Sequence, residues 1–344
     1  MKNTLFFLCL LFSGGKICAG IEADGFSFVH DVKGKQLTIF YNRELIASYL
    51  YPDSLDKPVI YPLKTFDGIE VTRGYPLAPR TGERVDHPHQ IGVWFNFGDV
   101  NGLDFWNNSS AIPIEKKEKY GSIRHRGFSS IEGCSDCIVF VVEADWVNHA
   151  GKRLLREETR YRFTKEDDAL SLVHTSILTA LEDTVILDDN KEGLFAIRVA
   201  RELEEWTEAP DYFIGADGQV SETKISNSGK ANGVYRNSEG LERGDAWGKE
   251  ASWVVLSACK EGIPVSIAIF DYSENPGYPA CFHARGYGLF SVNNLGKRAF
   301  DKKLDPIRIR LAPREQVCFK HKLMLRSGGC FSDEELRTIF REFN

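Results

Sequence analysis

Ile138-Val139-Phe140-Val141-Val142-Glu143-Ala144-Asp145-Trp146 places Ile138, Phe140, Val142, Ala144 and Trp146 on one face of an extended chain, with Glu143 and Asp145 on the other. Side chains alternate across a strand, so such a segment buries one face and leaves the other wet. The same period of two recurs in Gln36 to Tyr41, Leu45 to Leu50, Val59 to Leu63, Glu158 to Phe163, Leu170 to Leu178, Trp253 to Ala258, Val265 to Phe270, Ile307 to Leu311 and Gln316 to Leu325. Short alternating runs parted by Gly, Asn, Asp or Pro predict antiparallel strands. No repeat of 20 to 50 residues and no low-complexity linker divides them. The prediction is therefore an all-β chain, one large antiparallel β-sandwich over residues 21–344. Its C-terminal end differs: Ser332 with Glu335 forms a capping box, Phe331 can staple to Leu336, and Leu336, Ile339, Phe340 and Phe343 make an apolar stripe. That pattern predicts a short helix over about 332–343. Residues 217–248, rich in Gly, Ser, Asn and Glu, are expected to form a long loop across one end, of a length that often carries function.

The 344 residues are 42% hydrophobic, 12% aromatic and 27% charged, a composition that packs and excludes disorder, collagen and coiled coil. At the N-terminus Lys2, the apolar run Thr4 to Phe12 and the small residues around Cys18-Ala19-Gly20 predict a secretory signal peptide over residues 1–20. Gly14, Gly15 and Lys16 end the run too early for a bilayer span, and the charge ahead of Cys18 argues against a lipid anchor. Export to a periplasmic or extracellular location is expected. Cleavage removes Lys2 and Lys16 but no acid, moving the net charge from −6 to −8. Nucleic acid is then not an expected partner, because such binding neutralises many phosphates with Lys and Arg. Six cysteines remain, too sparse to staple a fold of this size. Cys134-Ser135-Asp136-Cys137 has the spacing of half a zinc knuckle without a second half, and fits a local disulfide or two buried thiols better.

Two segments concentrate polar and aromatic residues. In the first, Glu83 to Trp106, an extended His87-Pro88-His89 would point both imidazoles to one face about 7 Å apart, enough to hold a metal or a polar substrate. Asp104 and Trp106 would likewise share a face, a carboxylate beside a large ring, which suits a sugar. In the second, Tyr278 to Asn294, a strand would line up His283, Arg285 and Tyr287 with only Ala284, Gly286 and Gly288 opposite. Arg285 has the fork geometry for a carboxylate or sulfate. Arg124-His125-Arg126 adds a basic patch, and Lys191-Glu192-Gly193 a carboxylate at a strand entrance. His30, His149, His174 and His321 lack clustered partners and are assigned to structure. Nucleotide, hydride, serine-esterase and zincin motifs do not occur.

These residues carry a resemblance. The order Val71-Thr72-Arg73-Gly74-Tyr75-Pro76, Glu83-Arg84 with Asp86-His87-Pro88-His89, Gly92 and Trp94, then Gly98-Asp99 with Asn101 and Asp104-Phe105-Trp106, Glu192-Gly193-Leu194 with Ile197-Arg198, and His283, Arg285, Tyr287 and Gly288 resembles a domain-of-unknown-function family often labelled "methane oxygenase PmoA-like". The match runs from about residue 25 to 328. A methane oxygenase subunit crosses the bilayer several times; no apolar run of spanning length follows residue 20 here, so methane oxidation is not expected. The resemblance implies instead an exported protein of polysaccharide utilisation, with a fold similar to the galactose-mutarotase-like supersandwich of sugar epimerases, glycoside hydrolases and polysaccharide lyases. It implies that His87, His89 and His283 face a sugar, with Asp104 or Glu192 as acid or base.

Three functions follow as expectations. The first is a hydrolase, lyase or epimerase acting on a poly- or oligosaccharide through His87, His89, His283, Glu192 and Asp104, with Arg73, Arg84, Trp94, Trp106, His125, Arg285, Tyr287 and Asn294 binding the sugar. The second is a non-catalytic glycan binder that stacks sugars on Trp94, Trp106 and Tyr287. The third is a divalent-metal site on His87, His89 and either His125 or His283. The first requires no cofactor.

Overall fold

The computed structural model describes residues 24–226 and 229–344, together with the backbone of 16–19. The signal segment lies outside the described residues, apart from those four. In chain order, β1 (Lys16–Ala19), β2 (Phe26–Asp31), β3 (Gln36–Tyr41), β4 (Glu44–Leu50), β5 (Val59–Leu63) and β6 (Val93–Phe97) pair successively and antiparallel. Four long strands follow, β7 (Gly121–Cys134), β8 (Cys137–Asn148), β9 (Arg153–Glu166) and β10 (Ala169–Ala180). The rest are β11 (Val185–Leu187), β12 (Gly193–Arg198), β13 (Val234–Asn237), β14 (Glu250–Ala251), β15 (Trp253–Lys260), β16 (Ile263–Asp271), β17 (Ala280–Phe282), β18 (Leu289–Asn293), β19 (Ile309–Leu311) and β20 (Gln316–Ser327). Helices α1 (Lys297–Phe300) and α2 (Asp333–Phe343) complete the chain.

Ten strands form one sheet in the order β1-β2-β3-β4-β5-β6-β12-β18-β17-β14, eight form a second in the order β13-β15-β16-β20-β10-β9-β8-β7, and β11 pairs with β19. The large sheets pack face to face, as predicted. Leu37, Tyr49, Phe95, Phe195 and Phe290 from the first meet Phe140, Phe163, Leu172, Phe319 and Leu323 from the second in one core. Ring contacts cross between them, Tyr49 to Phe140 at 5.6 Å and Phe95 to Phe319 at 6.1 Å. Helix α2 carries the predicted capping box, with Ser332 Oγ accepting from the Glu335 N–H, and buries Leu336 against Phe331. The segment 217–248 is not all loop: β13 extends the edge of the eight-stranded sheet through β15. Cys134 and Cys137 face each other across the β7–β8 turn as free thiols 3.4 Å apart.

His174 and His321 are register partners on β10 and β20 and lie between the sheets, fully buried. Phe195 stacks on both rings, at 4.8 and 5.5 Å. Neither His174 nitrogen has a hydrogen-bond partner. Burial pushes His174 down to about 3, and burial together with the charge of His174 pushes His321 well below its ordinary value. Below pH 6.5 the unfolded chain takes up protons that the folded chain refuses, so each histidine withdraws about 1 kcal/mol of stability per pH unit until its folded pKa is reached. Asp271, which burial pushes up to about 6, acts in the opposite sense as pH falls from 6 to 3.8 and offsets one of the two. His174→Leu removes two unpaired buried polar atoms at similar volume. It is expected to raise stability by about 1 kcal/mol at pH 7 and by more at pH 5. Urea melts at both pH values test this, and an unchanged pH dependence would show that His174 titrates normally.

Candidate functional site on the outer face of the ten-stranded sheet

The middle strands β6, β12 and β18 are buried on both faces. One face meets the second sheet. On the other, Trp94, Ala196 and Ser291 lie in one row across the three strands, with Arg198 and Leu289 beside them. The segment between β5 and β6 folds over this face and brings the turn His87–Gln90 onto Arg198. Gly98, just past β6, is required there because a Cβ would stand 2.8 Å from the Cβ of Glu192.

Arg198 is the floor. One guanidinium nitrogen donates to Gln90 Oε1 at 2.5 Å and another to Asp86 Oδ1 at 2.7 Å, while Tyr287 lies over the cation at 4.8 Å. Arg73 also binds Asp86 Oδ1 and donates to the carbonyls of His87 and Gln90, both at 3.0 Å. Burial pushes the Asp86 carboxyl up, but Arg198, then the bond to His87 and the charge of Arg73, hold it well below the usual carboxylate range. Asp86 Oδ2 lies 2.7 Å from His87 Nδ1. An ionised carboxylate only accepts, so Nδ1 carries a proton, and in the neutral imidazole the lone pair falls on Nε2. His87 has φ +42°, a left-handed conformation that costs a non-glycine residue about 1–3 kcal/mol. The backbone bonds from Arg73 and the bond to Asp86 hold it there. Its side chain is 41% exposed, and Tyr287 stacks on it at 5.0 Å with 5° between planes.

A second group converges from the other side. Glu192 precedes β12, and burial raises its carboxyl against the pull of Lys191, with the charge of Asp104 adding to the rise and that of His87 opposing it. Its Oε2 lies 3.9 Å from His283 Nδ1, which also sits 3.2 Å from the Lys191 carbonyl. Burial, and then the charge of Arg285, push His283 down to about 3, so it is neutral. The β17–β18 connection is a tight turn in which the Gly288 N–H donates to the Arg285 carbonyl, with φ +94° at Gly288. Trp247, from the long segment, reaches this turn, 6.0 Å from His283 ring to ring and 5.2 Å from the Arg285 guanidinium carbon.

Residues 36–341 match the family of unknown function DUF6807. The chain belongs to that family. The DUF6807 description names no methane-oxygenase activity. No curated protein matches the chain in sequence. Solved structures similar to this DUF6807 chain include the galactosidase domain of the α-galactosidase-sucrose kinase AgaSK, at 7% identity and TM-score 0.38 over 87% of this chain. This chain spans 41% of that one. Others are Slr1438 from Synechocystis sp. PCC 6803, at 8% identity and TM-score 0.33 over 95% of this chain and 99% of that one, and a putative aldose 1-epimerase from Escherichia coli K12, at 12% identity and TM-score 0.30 over 91% and 99%.

Within the DUF6807 chain the structure joins His87, Glu192, His283, Arg285 and Tyr287, and corrects the other expectations. His87-Pro88-His89 is a turn, not a strand, closed by the Gln90 N–H on the His87 carbonyl, and its two rings meet edge to face at 5.6 Å. His89 is 7% exposed and pushed down to about 2 by burial and the charges of Lys57 and His87, so it backs His87 and does not face a ligand. His283 and Arg285 sit where β17 runs into a turn, so the expected strand through Tyr287 ends early. Asp104 folds back to accept from the N–H groups of Trp106 and Asn107. Trp94 and Trp106 are 2% and 0% exposed and pack on Ala196 and Leu289, which removes them as stacking platforms. Arg73 is buried beneath His87; Arg84 is buried on Glu204 and Asp211. Asn294 is buried on Asp271 and His321. His125 lies elsewhere, in a 700 Å³ cleft with His30 and Tyr51, and does not join His87, His89 or His283. Among the described residues no three His, Cys, Asp or Glu side chains are grouped to hold a metal ion. Asp86, Gln90, Arg198 and Trp247 were not assigned from the sequence.

Proposed function

We propose that this protein is an exported carbohydrate-active enzyme that moves protons on a sugar, with His87 as base and Glu192 as acid. The observation that carries the reading is His87 itself: a partly exposed imidazole, held in a strained backbone conformation, with Nδ1 committed to a half-buried, ionised aspartate, so that Nε2 is the acceptor of the neutral ring. Strain retained by so many fixed contacts is characteristic of functional sites. Glu192 complements it, since a carboxyl raised by burial keeps a proton to give. Glu192 lies 3.9 Å from His283 and His87 stacks on Tyr287, so both border the same Arg285 turn. Tyr287 offers an aromatic edge at the same place, and neutral His283, itself buried, backs Glu192 from beneath.

A histidine base with one raised carboxyl fits proton abstraction, hence epimerisation or elimination, better than hydrolysis, which calls for two carboxyl groups flanking the bond. Asp104 is tied into its own turn and does not supply the second. The test is mass-spectrometric product profiling of the protein, beside His87→Ala, on a broad oligosaccharide panel in deuterated water. Deuterium uptake without fragmentation is expected for an epimerase and unsaturated fragments for a lyase, both lost in His87→Ala. Fragments that gain water would overturn proton abstraction, and a blank profile over a sugar that still binds would overturn the enzyme.

A further inference from the structure

The arginines gathered beneath the outer face are all neutralised from within except one. Arg73 and Arg198 share Asp86, while Arg84 and Arg201 share Glu204. Among the described residues Arg285 has no ion pair and no side-chain hydrogen bond to protein. Glu205, whose carboxylate lies against Gly286, makes none with it. The guanidinium is held instead by two ring faces, Trp247 at 5.2 Å and Tyr287 at 5.5 Å. Rings on which a guanidinium stacks fix its plane while leaving its N–H fork unspent. The fork stands beside His283 and shares Tyr287 with His87, so it borders the site and is not part of a distant patch.

Resting on the reading of this site as a sugar site, we propose that its substrate is an anionic sugar whose carboxylate or sulfate ester is bound by the Arg285 fork. The protein carries a net negative charge, so no long-range field gathers such a ligand; a local, unpaired guanidinium supplies the affinity. A bidentate anion completes the donors that the aromatic pair leaves open. The acid group on Arg285 would orient the neighbouring sugar carbons toward His87 and Glu192.

Calorimetric titration of the full chain with three ligand sets separates the outcomes: uronate-bearing oligosaccharides, the same sugars after carboxyl reduction, and their sulfated counterparts. The uronate or the sulfated set is expected to bind at least about 10-fold tighter than the reduced set, and whichever prevails identifies the anion. The preference is expected to vanish in Arg285→Gln and to fall in part in Arg285→Lys, which keeps charge but not the fork. Removing an unpaired side chain should leave the thermal midpoint nearly unchanged, and the lysine variant serves if the glutamine variant does not fold. Equal binding of acidic and reduced sugars overturns the anion subsite while leaving the sugar reading intact. Failure of every sugar to bind overturns the underlying reading and the subsite with it.

Discussion

An Asp86→Asn variant is expected to lose about 3–5 kcal/mol of folding stability, the cost typical of breaking a buried ion pair from one side. Asp86 Oδ1 accepts from Arg73 and Arg198, whose side chains are 1% and 0% exposed. The amide leaves two guanidinium groups buried without their shared counter-charge. Arg198 keeps the neutral Gln90 and Tyr287, but its only remaining carboxylate is Glu204 at 4.0 Å. Urea unfolding with an unchanged slope and a much lower midpoint is the expected result. A loss below 1 kcal/mol would mean that Glu204 and the backbone carbonyls suffice. The same variant frees His87 Nδ1, so any folded fraction should also be slow, because the imidazole is no longer fixed with Nε2 as acceptor.

Glu192→Gln is expected to lower turnover about 10²- to 10⁴-fold, the usual share of a general acid or base, with the thermal midpoint unchanged or higher. Burial already disfavours the charged form of Glu192, so an uncharged amide suits the site. In the native protein activity that needs protonated Glu192 falls as pH rises through its raised pKa. That alkaline limb should be missing from the residual activity of the variant; if it persists, another group is the acid. His87→Ala should match the loss in rate. His87→Gly should match it too, yet be about 1 kcal/mol more stable than His87→Ala, because glycine adopts the left-handed conformation freely.

The hairpins that face water on one side were legible in sequence. β8, β9, β10 and the first half of β20 alternate buried and open positions, and their boundaries fall within a few residues of the alternating runs, whereas β16 is buried throughout from Val265 to Asp271. β6, β12 and β18 were not, since Val93–Phe97, Gly193–Arg198 and Leu289–Asn293 are covered on both faces and so carry no period of two. The site sits on those three strands. His87, Glu192, His283, Arg285 and Tyr287 stood out by residue type and clustering. Trp94 and Trp106 stood out for the same reason and proved to be core, because an aromatic ring reads alike whether it covers a sugar or a strand. Proline after His87 suggested extension; the Arg73 and Asp86 contacts impose a turn. Asp86 with Arg198, 112 positions apart, is a pair that only the fold brings together.

The order of strands in the ten-stranded sheet has a further meaning for biogenesis. β6 acquires its second neighbour only when β12 has been made, so an emerging chain holds an apolar strand with one open edge while the four long strands between them are synthesised. Such an edge is a template for self-association. A chain of this topology gains from being kept unfolded until synthesis has passed β18. For the same reason no fragment that ends before β18 can carry the site: the turn around His87, Glu192 and the Arg285 turn become neighbours only when β6, β12 and β18 lie side by side.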